Sequence, residues 1–316
     1  MNQTIADLGE FGLIEQITST LVRGPAVSVG PGDDGAVFLA DPPVVASTDV
    51  LVEHVHFRRD WVSAYDVGRK AVAVSVSDIE AMGATPVAVL VAFTAPRDLE
   101  AAWAIDCMNG IAAECDTARA SLVGGDVSSG GEISLAMTII GSLHGGSPLK
   151  RGGAQPGDAV ALRGRLGWAA AGLTVLSRGF RSPRAVVHAY QCPEPPYGAG
   201  AEAAGHAATS LIDISDGLIA DLGHVAAASH VVIDIDTARL LVPDPLVVVA
   251  QATGKDPLDF VLTGGEDHAL VATFPWGEVP KTWSVIGEVG AADTREPGVL
   301  VDGAEWVGPG GWSHFV

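Results

Sequence analysis

The strongest constraint on this chain is an alternation of continuous apolar runs with helix-periodic segments, interrupted once by a long stretch of turn formers. Pro86–Thr94 (PVAVLVAFT) is apolar almost throughout, the pattern of a buried strand, and helix-like segments flank it. Before it, Ser63–Met82 opens with Ser63 and Asp66 at capping-box-like spacing and stops at Gly83 and Pro86. After it, Asp98–Cys115 carries Ala101, Ile105, Met108 and Ile111-Ala112 along one helical face. A short helix is predicted over Phe11–Leu21, with strands at Ala26–Val29, Val44–Ser47, Ala120–Val123 and Ile133–Leu143. From His144 to Gly157 the residues are nearly all turn formers. Beyond that break the alternation resumes. Strands are expected at Asp158–Arg163, Ser210–Ile214, 231–235, 268–274 and 283–289, with helices near 166–178, 198–208 and Gly217–Ala228. The expected architecture is α/β (α+β), with mixed sheets packed with helices in two domains, 1–146 and 147–316, that share a cleft.

The 316 residues, 48% of them hydrophobic, supply enough apolar material for two cores. The formal net charge of -20 and only four lysines leave no basic footprint for nucleic acid. An acidic protein binds an anionic substrate when metal cations stand between them. Cys107, Cys115 and Cys192 have neither CxxC nor zinc spacing, which fits a reducing cytoplasm. The N-terminal MNQTIADLGE has no basic or apolar leader pattern, and no apolar run approaches a membrane span, so a soluble cytoplasmic protein is expected.

Six acidic clusters share one pattern: Gly32-Asp33-Asp34-Gly35, Ser47-Thr48-Asp49, Ser77-Asp78, Gly124-Gly125-Asp126, Asp213-Ile214-Ser215-Asp216-Gly217 and Gly264-Gly265-Glu266-Asp267. Five fall at predicted strand ends and read as turns; Ser77-Asp78 falls inside a helix. Any one of them is more often ordinary turn chemistry than a site. Their number and their small-residue company favour a distributed magnesium site. Magnesium takes oxygen donors, one or two carboxylates per ion, and completes its shell with water and phosphate oxygens. Ions held this way would bridge the phosphates of a nucleotide.

Gly30–Gly35 matches GxGxxG literally, but the residues after it are strand-like rather than helical, and two aspartates inside the loop would repel pyrophosphate. Walker A, HRD and DFG sequences are absent. His54 and His56, two apart on an expected strand, would share a face without a third zinc ligand, and a structural or substrate-contacting role is favoured. Trp276, Trp283, Trp306 and Trp312 read as packing residues, and Lys150-Arg151 as either a solvated pair or cations that would stabilise transferring charge beside a phosphate site.

GDDGA, STDVLVE-x-x-HF, SVSDIEAMGA, LVGGD, KRGGAQPGD, IDISDGLIADLGH and LTGGEDHAL occur in this order between residues 32 and 270, in a resemblance that spans roughly residues 10 to 315. The ordered set resembles the thiamine-monophosphate kinase family, within the aminoimidazole ribonucleotide synthetase-like ATP-binding superfamily. The resemblance implies that superfamily's two-domain fold, a homodimer, several magnesium ions, and transfer of the γ-phosphoryl group of ATP to thiamine monophosphate. It places metal ligands at Asp34, Ser47, Thr48, Asp49, Asp78, Asp126, Asp213 and Asp216, and nucleotide contacts at Gly125, Asp126, Arg151 and Ser215. Substrate contacts fall at His56, Glu266 and Trp312, and Asp49, Asp126 and Arg151 are the candidates closest to the chemistry. The family's basic residues beside proline are missing from Tyr190–Pro196. A phosphate monoester is already mostly ionised at neutral pH, so direct transfer needs no general base. The alternatives are a cousin such as aminoimidazole ribonucleotide synthetase, or a non-catalytic nucleotide- or divalent-cation-binding protein.

Overall fold

The computed structural model of the chain describes residues 3–19, 21, 24–31, 35–293, 295–308 and 311. These form two compact units, Met1–Ile79 with Thr85–Gly146, and Glu80–Ala84 with Ser147–Val316.

The first unit is built on a mixed four-stranded sheet. Strand β3 (Val44–Val52) pairs antiparallel with β6 (Ser134–Ser142), β6 antiparallel with β4 (Thr85–Ala95), and β4 parallel with β5 (Ser121–Ser129). Helices α2 (Ala64–Ala81) and α3 (Ala101–Ala118) pack together where Gly68 meets the Cys107 carbonyl and Gly110 meets that of Tyr65. Neither site has room for a Cβ. Ser63 Oγ donates to Asp66 Oδ2 at 2.7 Å and accepts from Asp66 N at 3.1 Å, the capping pattern expected at the start of α2. Helix α1 runs Ile5–Thr18 rather than Phe11–Leu21. An upstream capping box between Thr4 and Asp7 starts it, and Gly9 at φ 69° kinks it. A small antiparallel pair, β1 (Val27–Val29) and β2 (Val37–Phe38), completes the unit's strands among the described residues.

Two expectations for this unit change. Ser47-Thr48-Asp49 and Gly124-Gly125-Asp126 are not turns but lie within strands. Strand β3 continues to Val52 because all nine of its residues find partners on β6, and β5 continues to Ser129 along β4. His54 and His56 lie beyond β3, in a turn where His54 adopts φ 69°, so they are not alternate residues of a strand.

The second unit carries a mixed seven-stranded sheet ordered β13-β12-β9-β11-β7-β10-β8. Its strands are β7 (Ala159–Arg163), β8 (Ser210–Ile214), β9 (Val231–Ile235), β10 (Ala269–Phe274), β11 (Ser284–Ala291), β12 (Gly298–Val301) and β13 (Ala304–Glu305). Only β9 and β12 pair in parallel. Helices α4 (Trp168–Ser177), α6 (Ala199–Gly205) and α7 (Leu218–Ser229) match the expected ones. Three more, α5 (Arg184–Gln191), α8 (Asp244–Thr253) and α9 (Pro257–Thr263), occupy proline-punctuated segments. Proline pre-sets the first helical turn, so here it opens helices instead of excluding them. One core cluster of this unit joins Ala161, Leu211, Leu270, Ala272, Phe274 and Trp283. Glu80, at the end of α2, accepts from Gly198 N at 2.8 Å and Gly200 N at 2.9 Å at the start of α6.

Candidate active site

In the first unit, strand alternation decides which side chains can meet. Ser47, Asp49 and Leu51 face the helices, whereas Ala46, Thr48 and Val50 face outward. Ser47 Oγ donates to Asp78 Oδ2 on α2 at 2.6 Å, and Asp49 lies two residues further along the same face. Thr48 points the other way and donates to the Met137 carbonyl at 2.8 Å. Any ligand from Thr48 to an ion on the Ser47 side must therefore come from its main chain.

Gly125 and Asp126 lie at the far edge of the sheet. The rung through Asp49 passes Met137 and Val91 before reaching Gly125. Three ladder steps of about 4.8 Å separate the two edges by about 14 Å. Asp126 projects on the outward face, where Ser128 Oγ donates to it at 2.8 Å. The structure thus joins Ser47 to Asp78, keeps Asp49 on the same face two residues along, and sets Asp126 apart from them within the sheet. Gly125 has no room for a side chain, because a Cβ there would run into the Val91 carbonyl. His56 follows β3. Its Nδ1 accepts from Val52 N at 3.0 Å, and Lys70 Nζ, buried in α2, donates to the His56 carbonyl at 3.2 Å.

In the second unit, β8 delivers Asp213, and the turn into α7 presents Ser215 and Asp216. Gly217 is needed at that turn, since it adopts φ 130° against the Thr263 carbonyl. Asp221, one turn into α7, reaches back to accept from Asp216 N and Gly217 N, both at 3.0 Å. Burial raises the Asp221 carboxyl to about 6 against those bonds, and Asp213 and Asp216 add to the rise.

The Gly264–His268 turn is zipped onto this one. Glu266 N donates to Ser215 O at 2.8 Å and His268 N to Ile214 O at 3.0 Å. A Cβ on Gly265 would strike the Ser215 carbonyl, so only glycine allows the approach. Glu266 and His268 both sit at positive φ, 67° and 51°, with Asp267 turned back between them to accept from Ala169 N at 2.9 Å at the start of α4. Burial pushes Asp267 up to about 7, against the Ala169 bond and the Arg165 charge. Gly311 lies against the Asp216 carbonyl. A cavity of about 520 Å³ lies beside α7, lined by Ile219, Ala220, Gly223, Val299, Glu305 and Trp306.

Arg151 stands elsewhere in this unit. It is exposed, and its carbonyl accepts from Ser229 Oγ at 3.2 Å, at the C-terminal end of α7. Twelve helical residues at ~1.5 Å each put its main chain roughly 18 Å from the Asp216 turn. Asp34 and Trp312 lie outside the described residues. Among the described residues, no three His, Cys, Asp or Glu side chains form a ready-made metal cluster. The donors present are nonetheless all oxygen, one or two carboxylates at each locus, which fits magnesium completed by water and phosphate oxygens. Sequence reasoning gave no role to Asp221, Asp267 or His268. All three lie inside the quoted motifs, but what each touches depends on tertiary contact.

The family model for AIR synthase related protein, N-terminal domain, matches residues 32–143. Thiamine-monophosphate kinase of Mycobacterium tuberculosis is 45% identical over 99% of this chain and 93% of its own length. This chain belongs to the thiamine-monophosphate kinase family. The family's Corynebacterium glutamicum member is 37% identical over 99% of the chain and 95% of its own length. A solved structure of AaThiL complexed with AMPPCP and TMP is 32% identical, covers 98% of both chains and has a TM-score of 0.78. Hydrogenase maturation protein HypE, at 18% identity and a TM-score of 0.73 over 91% of this chain and 93% of its own, shares the fold.

Proposed function

We propose that this chain transfers the γ-phosphoryl group of ATP directly to thiamine monophosphate, giving thiamine diphosphate and ADP. The observation that carries the reading is the pair of interlocked turns, Asp213–Gly217 and Gly264–His268, combined with full-length identity to thiamine-monophosphate kinases. AaThiL was solved with an ATP analogue and TMP together, which supports ATP and thiamine monophosphate as the two substrates here.

Ser47, Asp49 and Asp78 in one unit and Asp213 and Asp216 in the other would hold magnesium, with Asp34, Asp126 and the Thr48 main chain as further ligands. Bound magnesium would neutralise phosphate charge that repels the incoming phosphate. Gly125, Ser215 and Arg151 serve the nucleotide in this reading, with Arg151 supplied from the far end of α7. Glu266, His56 and Trp312 serve thiamine monophosphate. The Val52 N–H donated to Nδ1 fixes neutral His56 as the tautomer with its proton on Nε2, so it meets the substrate as a donor. The acceptor phosphate is its own nucleophile, and none of these side chains needs to form a phosphoenzyme.

The division of labour between residues 1–146, for ATP and magnesium, and 147–316, completing the nucleotide and substrate cleft, belongs to the same reading. A cytoplasmic homodimer does too. No described helix is long and apolar enough to cross a membrane. The outward face of the four-stranded sheet, where Val44 and Val50 of β3 are 54% and 43% exposed alongside Thr48 and Asp126, is the surface a second copy would cover. Single-turnover quenching with γ-labelled ATP tests the chemistry. Label should pass straight into thiamine diphosphate, and a transient labelled protein would overturn direct transfer.

A further inference from the structure

His268 belongs to no motif element with an assigned role, yet its side chain touches that of Asp213. Its Nδ1 lies 3.2 Å from Asp213 Oδ2, and both side chains are nearly closed off from solvent, at 9% and 7% exposure. The sheet explains the contact. Ala269 and Leu270 of β10 pair with Ile214 and Asp213 of β8, so His268, just before β10, comes up against the end of β8 where Asp213 stands. The position is also costly to hold. His268 sits at φ 51°, a left-handed conformation that a residue with a Cβ adopts at a cost of about 1 kcal/mol or more, and its N–H is pinned to Ile214 O at 3.0 Å.

We propose that His268 is a positioning residue. Its Nδ1–H engages Oδ2 of Asp213 and sets the orientation in which that carboxylate is presented to a divalent cation. A metal-ligating carboxylate is ordinarily oriented by such an outer hydrogen bond, and losing it typically lowers metal affinity about 10–100-fold. The inference rests on the reading of Asp213 as a magnesium ligand, and the test separates the two.

The full-length chain is compared with His268→Asn, His268→Gln and Asp213→Asn. The Asn amide nitrogen takes the place of Nδ1, whereas the Gln amide reaches the Nε2 position instead. Binding of Mn2+ in the presence of AMPPCP is read from the electron paramagnetic resonance of the free ion, alongside the magnesium concentration for half-maximal activity and the melting temperature. His268→Gln is expected to weaken Mn2+ binding about tenfold and raise the magnesium requirement in step, while His268→Asn stays within about threefold of wild type. Melting temperatures of the two variants should be alike. If Asp213→Asn weakens Mn2+ binding but His268→Gln and His268→Asn both bind it as wild type does, His268 has only a packing role and the proposal fails. If Asp213→Asn itself leaves Mn2+ binding unchanged, the ligand reading fails first and takes the proposal with it.

Discussion

Asp267 is enclosed by protein, bonded to the Ala169 amide, and its Oδ2 has no hydrogen-bond partner. An incompletely paired buried carboxylate binds its proton more tightly than one in water. With the native carboxyl raised from 3.8 to about 7, its contribution to stability is complete below about 4 and is lost as pH rises through 7. Asp267→Asn keeps the Oδ1 acceptor but cannot ionise. Between pH 5 and 8, wild type should therefore lose stability relative to the variant, by up to about 2.5 kcal/mol, in parallel denaturant titrations. Parallel curves would show that Asp267 does not titrate in that window. His56 makes a second prediction at this scale. His56→Gln, which retains a donor at the Nε2 position, should hold KM for thiamine monophosphate near wild type, while His56→Ala should raise it about tenfold with little change in KM for ATP.

Elements were legible wherever pattern and punctuation agreed. The periodicity of Ser63–Met82 and the apolar run Pro86–Thr94 gave α2 and β4 nearly to the residue. Helices α8 and α9 were missed because Pro245 and Pro257 sit in first turns, where proline favours a helix that the composition alone reads as loop. The clusters at Asp49 and Asp126 looked like turns because glycine, serine and aspartate are poor strand formers. Pairing with β6 and β4 overrides that preference. The sequence periodicity also said nothing of Gly68 and Gly110, whose lack of a Cβ lets α2 and α3 cross with backbones in contact. Gly68→Ala would push a methyl into the Cys107 carbonyl and should cost about 1–3 kcal/mol, seen as a lower melting temperature; a neutral result would mean the helices can slide apart freely.

At the scale of the molecule, the motifs named the chemistry before any geometry was known, but not where their residues stand. Asp49 and Asp126 occupy opposite edges of one sheet, and Arg151 occupies the far end of α7 from Asp216; no spacing rule carries such distances. The outward face of the four-stranded sheet leads to a prediction of its own. Val50→Asp should shift sedimentation from dimer to monomer, and an unchanged sedimentation coefficient would remove that face as the interface. With a net charge of -20, the chain approaches two phosphorylated substrates against its own field, which is why activity should require a divalent cation. The most direct test is to incubate the purified chain with ATP, thiamine monophosphate and magnesium and to separate the thiamine phosphates and nucleotides. Thiamine diphosphate and ADP should form in equal amounts, and chelating the magnesium should abolish both. ADP and inorganic phosphate without thiamine diphosphate, or no turnover by folded protein, would contradict the account.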